Sequence, residues 1–331
     1  MAVDRQRLAE LRQPASFYKG RFRNRDRTPS HGLKEFIRWQ RESGGRFPRG
    51  QRFTLLKPSA GELAAEAPQP RVTWLGHAGF LIQYRDSNLL TDPVLSNRAS
   101  PLPFAGPKRF TPPPLSVDEL PDIDQVLISH NHYDHLDAST VHALKRRFGD
   151  SIQWCVPMGL GRWFRRRNIH NLLEMGWWQS ETSRNSEVFC VPAQHFSGRG
   201  VNDGNRTLWC GWVVDFEGFR LYFAGDTGYG SCFADIGHVF DGIDLALLPI
   251  GAYAPRWFMS PVHVDPAGSV KIFQDVRARQ AIAMHWGTFV LTDEPLDEPP
   301  RELNKALAAA AIDQDKFKVL QHGETINLAL E

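Results

Sequence analysis

From residue 71 onward, short apolar runs alternate with polar breaks. RVTWLG, GFLIQY and NLLTD are separated by Gly, His and Asp-Ser, the signature of a strand meander. Beyond it the period alternates between two and 3.6. DQVLIS and IQWCVP predict buried strands, ASTVHALKRRF predicts a helix with Val141, Leu144 and Phe148 on one face, and LGRWFRRRN predicts a short basic helix. Later strands are predicted at EVFCVP, LWCGWVVDF, FRLYFAGD, DLALLPI, QAIAMH and FKVLQ, with helices at DPAGSVKIFQDV and PRELNKALAAAA. A meander that passes into alternating strands and helices predicts an α/β fold of two sheets, each covered on its outer face by helices.

The N-terminal part breaks this pattern. Residues 1–57 mix Arg with Gly, Pro, Ser and aromatics without a sustained period, which predicts an extended arm with one short helix near LKEFIRWQ; residues 58–70 read as a linker, and 71–331 as the catalytic domain. Composition adds a charge asymmetry. The arm holds 15 Lys and Arg against 5 Asp and Glu, out of 39 and 37 in the whole chain, so a basic arm precedes an acidic body. No apolar run approaches the roughly 20 residues of a transmembrane helix, and the N-terminus lacks the apolar core of a signal peptide, so the expected location is cytoplasmic. Cys155, Cys190, Cys210 and Cys232 form no CxxC pair and are expected to be buried free thiols.

The chemistry concentrates in SHNHYDHLD, Ser129 to Asp137. An extended backbone puts residues i and i+2 on one side, so His130 and His132, at the end of DQVLIS, can converge on one metal ion. Asp134 and His135 lie where the next helix begins and can face a second ion. Two sites of four to five donors need ligands from elsewhere in the chain. His195 in PAQHF, Asp226 in FAGDTGY and His285 in AMHWG each follow an apolar strand, and Asp226 is placed to bridge two cations.

HxHxDH, a later His, a later GD and a final His, in this order and at these separations, resemble the metallo-β-lactamase fold, a four-layer αββα sandwich with a dinuclear metal site along one edge. WLGHA, LTDPV, RASP, GPKRF, SHNHYDHLD, FAGDTGY, PIGAYAPRWFM, HVDP, HWGTF and HGE further resemble the N-acylphosphatidylethanolamine-hydrolysing phospholipase D family, over roughly residues 70–325. The resemblance implies that His130, His132 and His195 hold one zinc ion and Asp134, His135 and His285 another, with Asp226 between them, giving two zinc ions per chain. Two such ions about 3.5 to 4 Å apart hold a bridging hydroxide and clamp a phosphoryl oxygen for in-line displacement. The chain contains neither G-x-S-x-G nor G-x-x-x-x-G-K, so a serine-hydrolase elbow and a P-loop are excluded.

Asp92 in LTDPV is expected to accept from the second ring nitrogen of a metal-bound His. The resemblance places His263 on the substrate phosphate or as the acid that protonates the leaving oxygen, sets His322 near the site, and makes the run from Tyr253 through Trp257 to Met259 a lipid-facing wall. His77 reads as a structural residue of the first turn, and His31, His142, His170 and His238 as surface or loop residues. The implied activity is release of an N-acylethanolamine and phosphatidic acid from an N-acylated phosphatidylethanolamine, the alternative being a lactonase or soluble phosphodiesterase on the same scaffold. The expected partners are a phospholipid or other phosphodiester substrate, an anionic membrane surface met by the arm, and a second copy of the chain as a homodimer. No nucleic acid is expected, because the body is acidic and no separate nucleic-acid domain is present.

Overall fold

The computed structural model describes residues 2–13, 15–26, 32–43, 52–200 and 202–330. Two seven-stranded sheets face one another. The first runs, in spatial order, Thr325–Asn327, Ala67–Gly76, Gly79–Arg85, Ser87–Thr91, Gln125–Leu127, Gln153–Pro157 and Leu172–Met175; the second runs Phe317–Lys318, Ala278–Met284, Ile243–Pro249, Phe219–Phe223, Gly211–Phe216, Ser186–Val191 and Ser180–Ser183.

The period-two pattern decides which side chains meet. Trp74, Phe80 and Ile82 point between the sheets, where they join Val188, Trp212, Val214, Leu221 and Phe223 in one core. Their neighbours Leu75 and Leu81 point outward with Leu90, Val126 and Ile128, against Val141 and Leu144 of the helix Ala138–Phe148 and Phe164 of the helix Gly161–Arg165. Each fully buried Leu, Val, Ile or Phe contributes about 1.5–3 kcal/mol. The outer face of the second sheet carries the helices Cys232–Phe240, Pro266–Asp275 and Glu298–Ala309, whose Phe240, Ile272 and Leu303 are buried. The result is the αββα sandwich of a metallo-β-lactamase fold.

Caps fix where the helices start. Asp137, the last residue of the histidine-rich run, accepts from the Ser139 N–H at 3.1 Å and so opens the helix Ala138–Phe148. In HVDP, Asp265 accepts from the Gly268 N–H at 2.8 Å and Pro266 occupies the first helical turn, which stops the chain at His263 just before a helix. Strands at Leu172–Met175, Ser180–Ser183 and Thr325–Asn327, and the helix Cys232–Phe240, lie outside the pattern read from sequence.

The N-terminal residues depart from the expected extended arm. Besides the helix Leu33–Glu42, which falls at LKEFIRWQ, a helix Arg5–Leu11 and a small hairpin of Phe17–Tyr18 with Arg21–Phe22 fold back on the body. Leu8 and Phe22 are buried, the Asp4 N–H donates to the Val239 carbonyl at 2.8 Å, and Arg7 pairs with Asp235 at 2.9 Å. Periodicity does not reveal this docking, because it rests on a few scattered apolar residues, Leu8 and Phe22 buried and Val3, Leu11 and Ala15 partly so, and on several ion pairs rather than on a long continuous face. All four cysteines are buried and free. Among the described residues no helix is long and apolar enough to cross a membrane.

Candidate metal centre

Parallel strands deliver the site to one sheet edge. In the first sheet, Ala67–Gly76, Ser87–Thr91 and Gln125–Leu127 run the same way and end at His77, Asp92 and the run beginning Ser129. In the second, Ser186–Val191, Phe219–Phe223 and Ala278–Met284 share one direction and lead to His195, Asp226 and His285. Gly225, at φ 60°, makes the close approach before Asp226 possible: a Cβ there would lie 2.6 Å from the Ser129 Cβ.

Hydrogen-bond partners fix the ring tautomers. Ser129 Oγ donates to Asp92, so it accepts from His130 Nδ1 at 2.9 Å and leaves His130 Nε2 as a bare acceptor. His195 Nδ1 lies 2.9 Å from the Val262 carbonyl, which can only accept, so His195 Nε2 is also bare. Both bare nitrogens face His132 Nδ1, at 2.8 Å and 3.3 Å. One ring nitrogen can donate to one of them at most. A cation held by all three lone pairs satisfies the whole group, and the three atoms lie within 4.8 Å of one another.

His77, Asp134, His135 and His285 form a second group of the same kind. Asp226 stands between the two. Its carboxylate is 3.1 Å from His135 Nε2 and from His285 Nε2, 3.8 Å from His195 Nε2 and 3.9 Å from His263 Nδ1. His135 Nε2, His285 Nε2 and Asp226 Oδ1 are buried without a hydrogen bond of acceptable geometry. Orphaned buried nitrogen and oxygen atoms that converge in this way fit metal ligation, which consumes lone pairs and repays their desolvation.

Burial sets the charge states. It lowers His130 well below the usual histidine range, His132 to about 3 and His195 to about 4, all three being held as the neutral rings that metals require. At His285 burial acts in the same sense, but Asp226 and Asp134 outweigh it and raise the ring to about 9. Asp134 and Asp226 are driven below the carboxylate range by His135, against the opposing effect of burial.

The other residues singled out from the sequence divide. Asp92 Oδ2 lies 2.6 Å from His135 Nδ1, the orienting contact expected of it. His263 faces the centre, its ring 5.0 Å from that of His195. Tyr253 does not form an open wall: it is buried and its hydroxyl donates to Glu298 at 2.5 Å. Trp257 is 37% exposed, with the Arg38 guanidinium 4.5 Å from its ring. His322 is packed against Trp74 at 4.2 Å and lies 3.0 Å from Thr288 Oγ1, in neither metal-competent group. His142, His170 and His238 are exposed, and His31 lies outside the described residues.

His77 does more than the turn role expected of it. Its backbone makes the turn contacts expected of it, the carbonyl accepting from Trp74 Nε1 at 3.0 Å and the N–H donating to Thr288 at 2.7 Å. Its ring, however, faces the site, with Nε2 2.9 Å from Asp134 Oδ2 and the ring centre 4.0 Å from that of His285. The signal was present, because His77 ends a strand just as His130 and His285 do.

Known proteins resemble this chain in sequence and in fold. A family profile described as the β-lactamase superfamily domain matches residues 87–286. The chain is 41% identical over 264 residues to N-acyl-phosphatidylethanolamine-hydrolyzing phospholipase D 1 of Caenorhabditis elegans, covering 76% of this chain and 74% of that protein. It is 39% identical over 238 residues to the mitochondrial enzyme of that name from Saccharomyces cerevisiae, covering 70% of this chain and 50% of the yeast protein. Among solved structures, the metallo-hydrolase Igni18 of Ignicoccus hospitalis superimposes with a TM-score of 0.58 at 19% identity, covering 80% of this chain and all of that one, a likeness of fold.

Proposed function

We propose that this chain, which belongs to the N-acylphosphatidylethanolamine-hydrolysing phospholipase D family of metallo-β-lactamase-fold hydrolases, is a dinuclear zinc phosphodiesterase acting on N-acylphosphatidylethanolamine-like lipids. The observation that carries the reading is the position of Asp226 between two groups of buried imidazole and carboxylate donors. His130, His132 and His195 would hold one zinc ion, Asp134, His135 and His285 the other, and Asp226 would serve both. When bound, such a pair supplies an activated water at neutral pH and a Lewis-acid clamp on a phosphoryl oxygen.

The chain's own residues do the rest. Asp92 holds His135 in the tautomer that frees Nε2, and the Val262 carbonyl does the same for His195. His263 Nδ1 is buried without a partner at the edge of the centre, and burial keeps the ring neutral, first against the pull of Asp226. A neutral ring suits an N–H donor to a substrate phosphoryl oxygen better than an acid that gives up a full proton, so of the two roles expected of His263 we assign the first. Trp257, in the short helix Arg256–Met259 and with exposed ring surface, is the candidate lipid contact, whereas Tyr253 is buried with its hydroxyl on Glu298. The products would be an N-acylethanolamine and phosphatidic acid, formed where a cytoplasmic enzyme meets the anionic membrane surface.

The test is turnover by zinc-loaded protein of an N-acylated phosphatidylethanolamine, a lactone and RNA under the same conditions. Hydrolysis of the phospholipid with release of the N-acylethanolamine supports the reading. Turnover confined to the lactone overturns it in favour of a lactonase on the same centre.

A further inference from the structure

We propose that Asn24, in the N-terminal segment and outside the 87–286 match, is a positioning residue of the metal centre that fixes the His195 main chain. The proposal rests on the reading of His195 as a metal ligand. His195 follows the strand Ser186–Val191 in an irregular turn, so no neighbouring strand pairs with its peptide groups. A side chain does so instead. The His195 N–H donates to Asn24 Oδ1 at 3.1 Å, and Asn24 Nδ2 donates to the His195 carbonyl at 2.8 Å. Together with the bond from ring Nδ1 to the Val262 carbonyl, this holds His195 at three points and directs Nε2 towards His132.

The surroundings make the pairing specific. Asn24 Oδ1 also accepts from Nε1 of the buried Trp209 at 2.9 Å, which sets the orientation of the carboxamide. Two residues on, the Asp26 carboxylate accepts from the Ser231 N–H at 2.6 Å and the Ser231 hydroxyl at 2.9 Å, in the loop that follows Asp226. The Asp26 carbonyl accepts from Gln194 Nε2 at 3.3 Å. Asn24 and Asp26 thus tie the loop carrying His195 to the loop that follows Asp226. Only a carboxamide both donates and accepts at this position; aspartate keeps the shape and the acceptor but sets a carboxylate oxygen against the His195 carbonyl.

Zinc release from the full-length zinc-loaded protein into excess chelator, followed with a metallochromic dye beside thermal melts, tests this. Asn24→Ala and the nearly isosteric Asn24→Asp are expected to release part of their zinc about 10-fold or more faster than wild type, in line with the roughly 10–100-fold loss of metal affinity typical when groups supporting metal ligands are lost. Arg21→Ala, which loosens the same segment at the Gly204 and Asn202 carbonyls without touching His195, is expected to release zinc at the wild-type rate. Wild-type retention in folded Asn24→Asp overturns the inference. So does equally fast release from Arg21→Ala, which would mean that the segment acts only through its general docking. A wild type that binds no zinc would instead sink the metal-centre reading itself.

Discussion

His135 Nδ1 lies 2.6 Å from Asp92 Oδ2, with both side chains fully buried, and the same carboxylate accepts from the Ser129 N–H at 2.7 Å. One aspartate therefore orients a proposed metal ligand and the turn that carries His130. Replacing Asp92 by Asn keeps the shape but lets the ring of His135 choose the other tautomer. Metal affinity or activity is expected to fall about 10–100-fold. Zinc titration beside turnover checks this, and a variant equal to wild type in both would remove Asp92 from the centre.

His77 makes a sharper comparison, because its backbone serves a turn and its ring faces Asp134. His77→Ala is expected to lower thermal stability and, separately, zinc affinity, since Asp134 loses the N–H that holds Oδ2 in place. Turnover per folded molecule should drop about 10–100-fold. Loss of stability with undiminished turnover would return His77 to a purely structural role.

These two residues show what the sequence makes legible. A run of metal-competent residues after an apolar strand is visible at once, and the strand-end rule finds His195, Asp226 and His285 because parallel strands carry their ends to one edge. The same rule reaches His77, but a tight turn offered a sufficient account of it. Tyr253 could not be assigned correctly, because its partner Glu298 lies 45 residues away and no local pattern announces a hydroxyl–carboxylate contact. The docking of Leu8 and Phe22 is hidden for a similar reason: with only Val3, Leu11 and Ala15 packed beside them, the anchors are too few and too scattered to set up a sustained period.

Removal of the metal should expose how much stability the centre supplies. In chelator-treated protein, turnover is expected to vanish and the melting temperature to fall, because ligand at 100 times its dissociation constant stabilises the native state by about 2.7 kcal/mol. Zinc should restore both. Asp226→Asn should lower turnover about 10³-fold, as the loss of several kcal/mol of charge stabilisation implies. Full activity without metal, or in the Asn variant, would contradict the mechanism.

The cysteines provide an independent check on the core. Burial pushes Cys155 and Cys210 above the usual thiol range and Cys232 up to about 12, and all four thiols are shielded. At pH 8 a disulfide reagent is expected to label none of them rapidly in native protein and all four after denaturation. Fast labelling of a native thiol would show that the sheets open more readily than their packing implies.

The structure changes what removal of the basic N-terminal residues should do. If they were a free tether, deleting residues 1–57 would weaken vesicle association and leave soluble turnover intact. Because Leu8, Phe22, Asn24 and Asp26 are built into the body, the deletion is expected to lower turnover of a soluble phosphodiester as well. Charge can be tested without disturbing that docking by changing the exposed Arg12, Lys34 and Arg41 to Gln. Each cation near an anionic surface contributes about 1 kcal/mol, so the triple variant should bind phosphatidylserine-containing vesicles more weakly at low salt, converge on wild type at high salt, and hydrolyse the soluble substrate normally. Unchanged vesicle binding in the triple variant would rule out these charges as the membrane contact, and normal soluble turnover after the full deletion would show that the docked segment is dispensable to the centre.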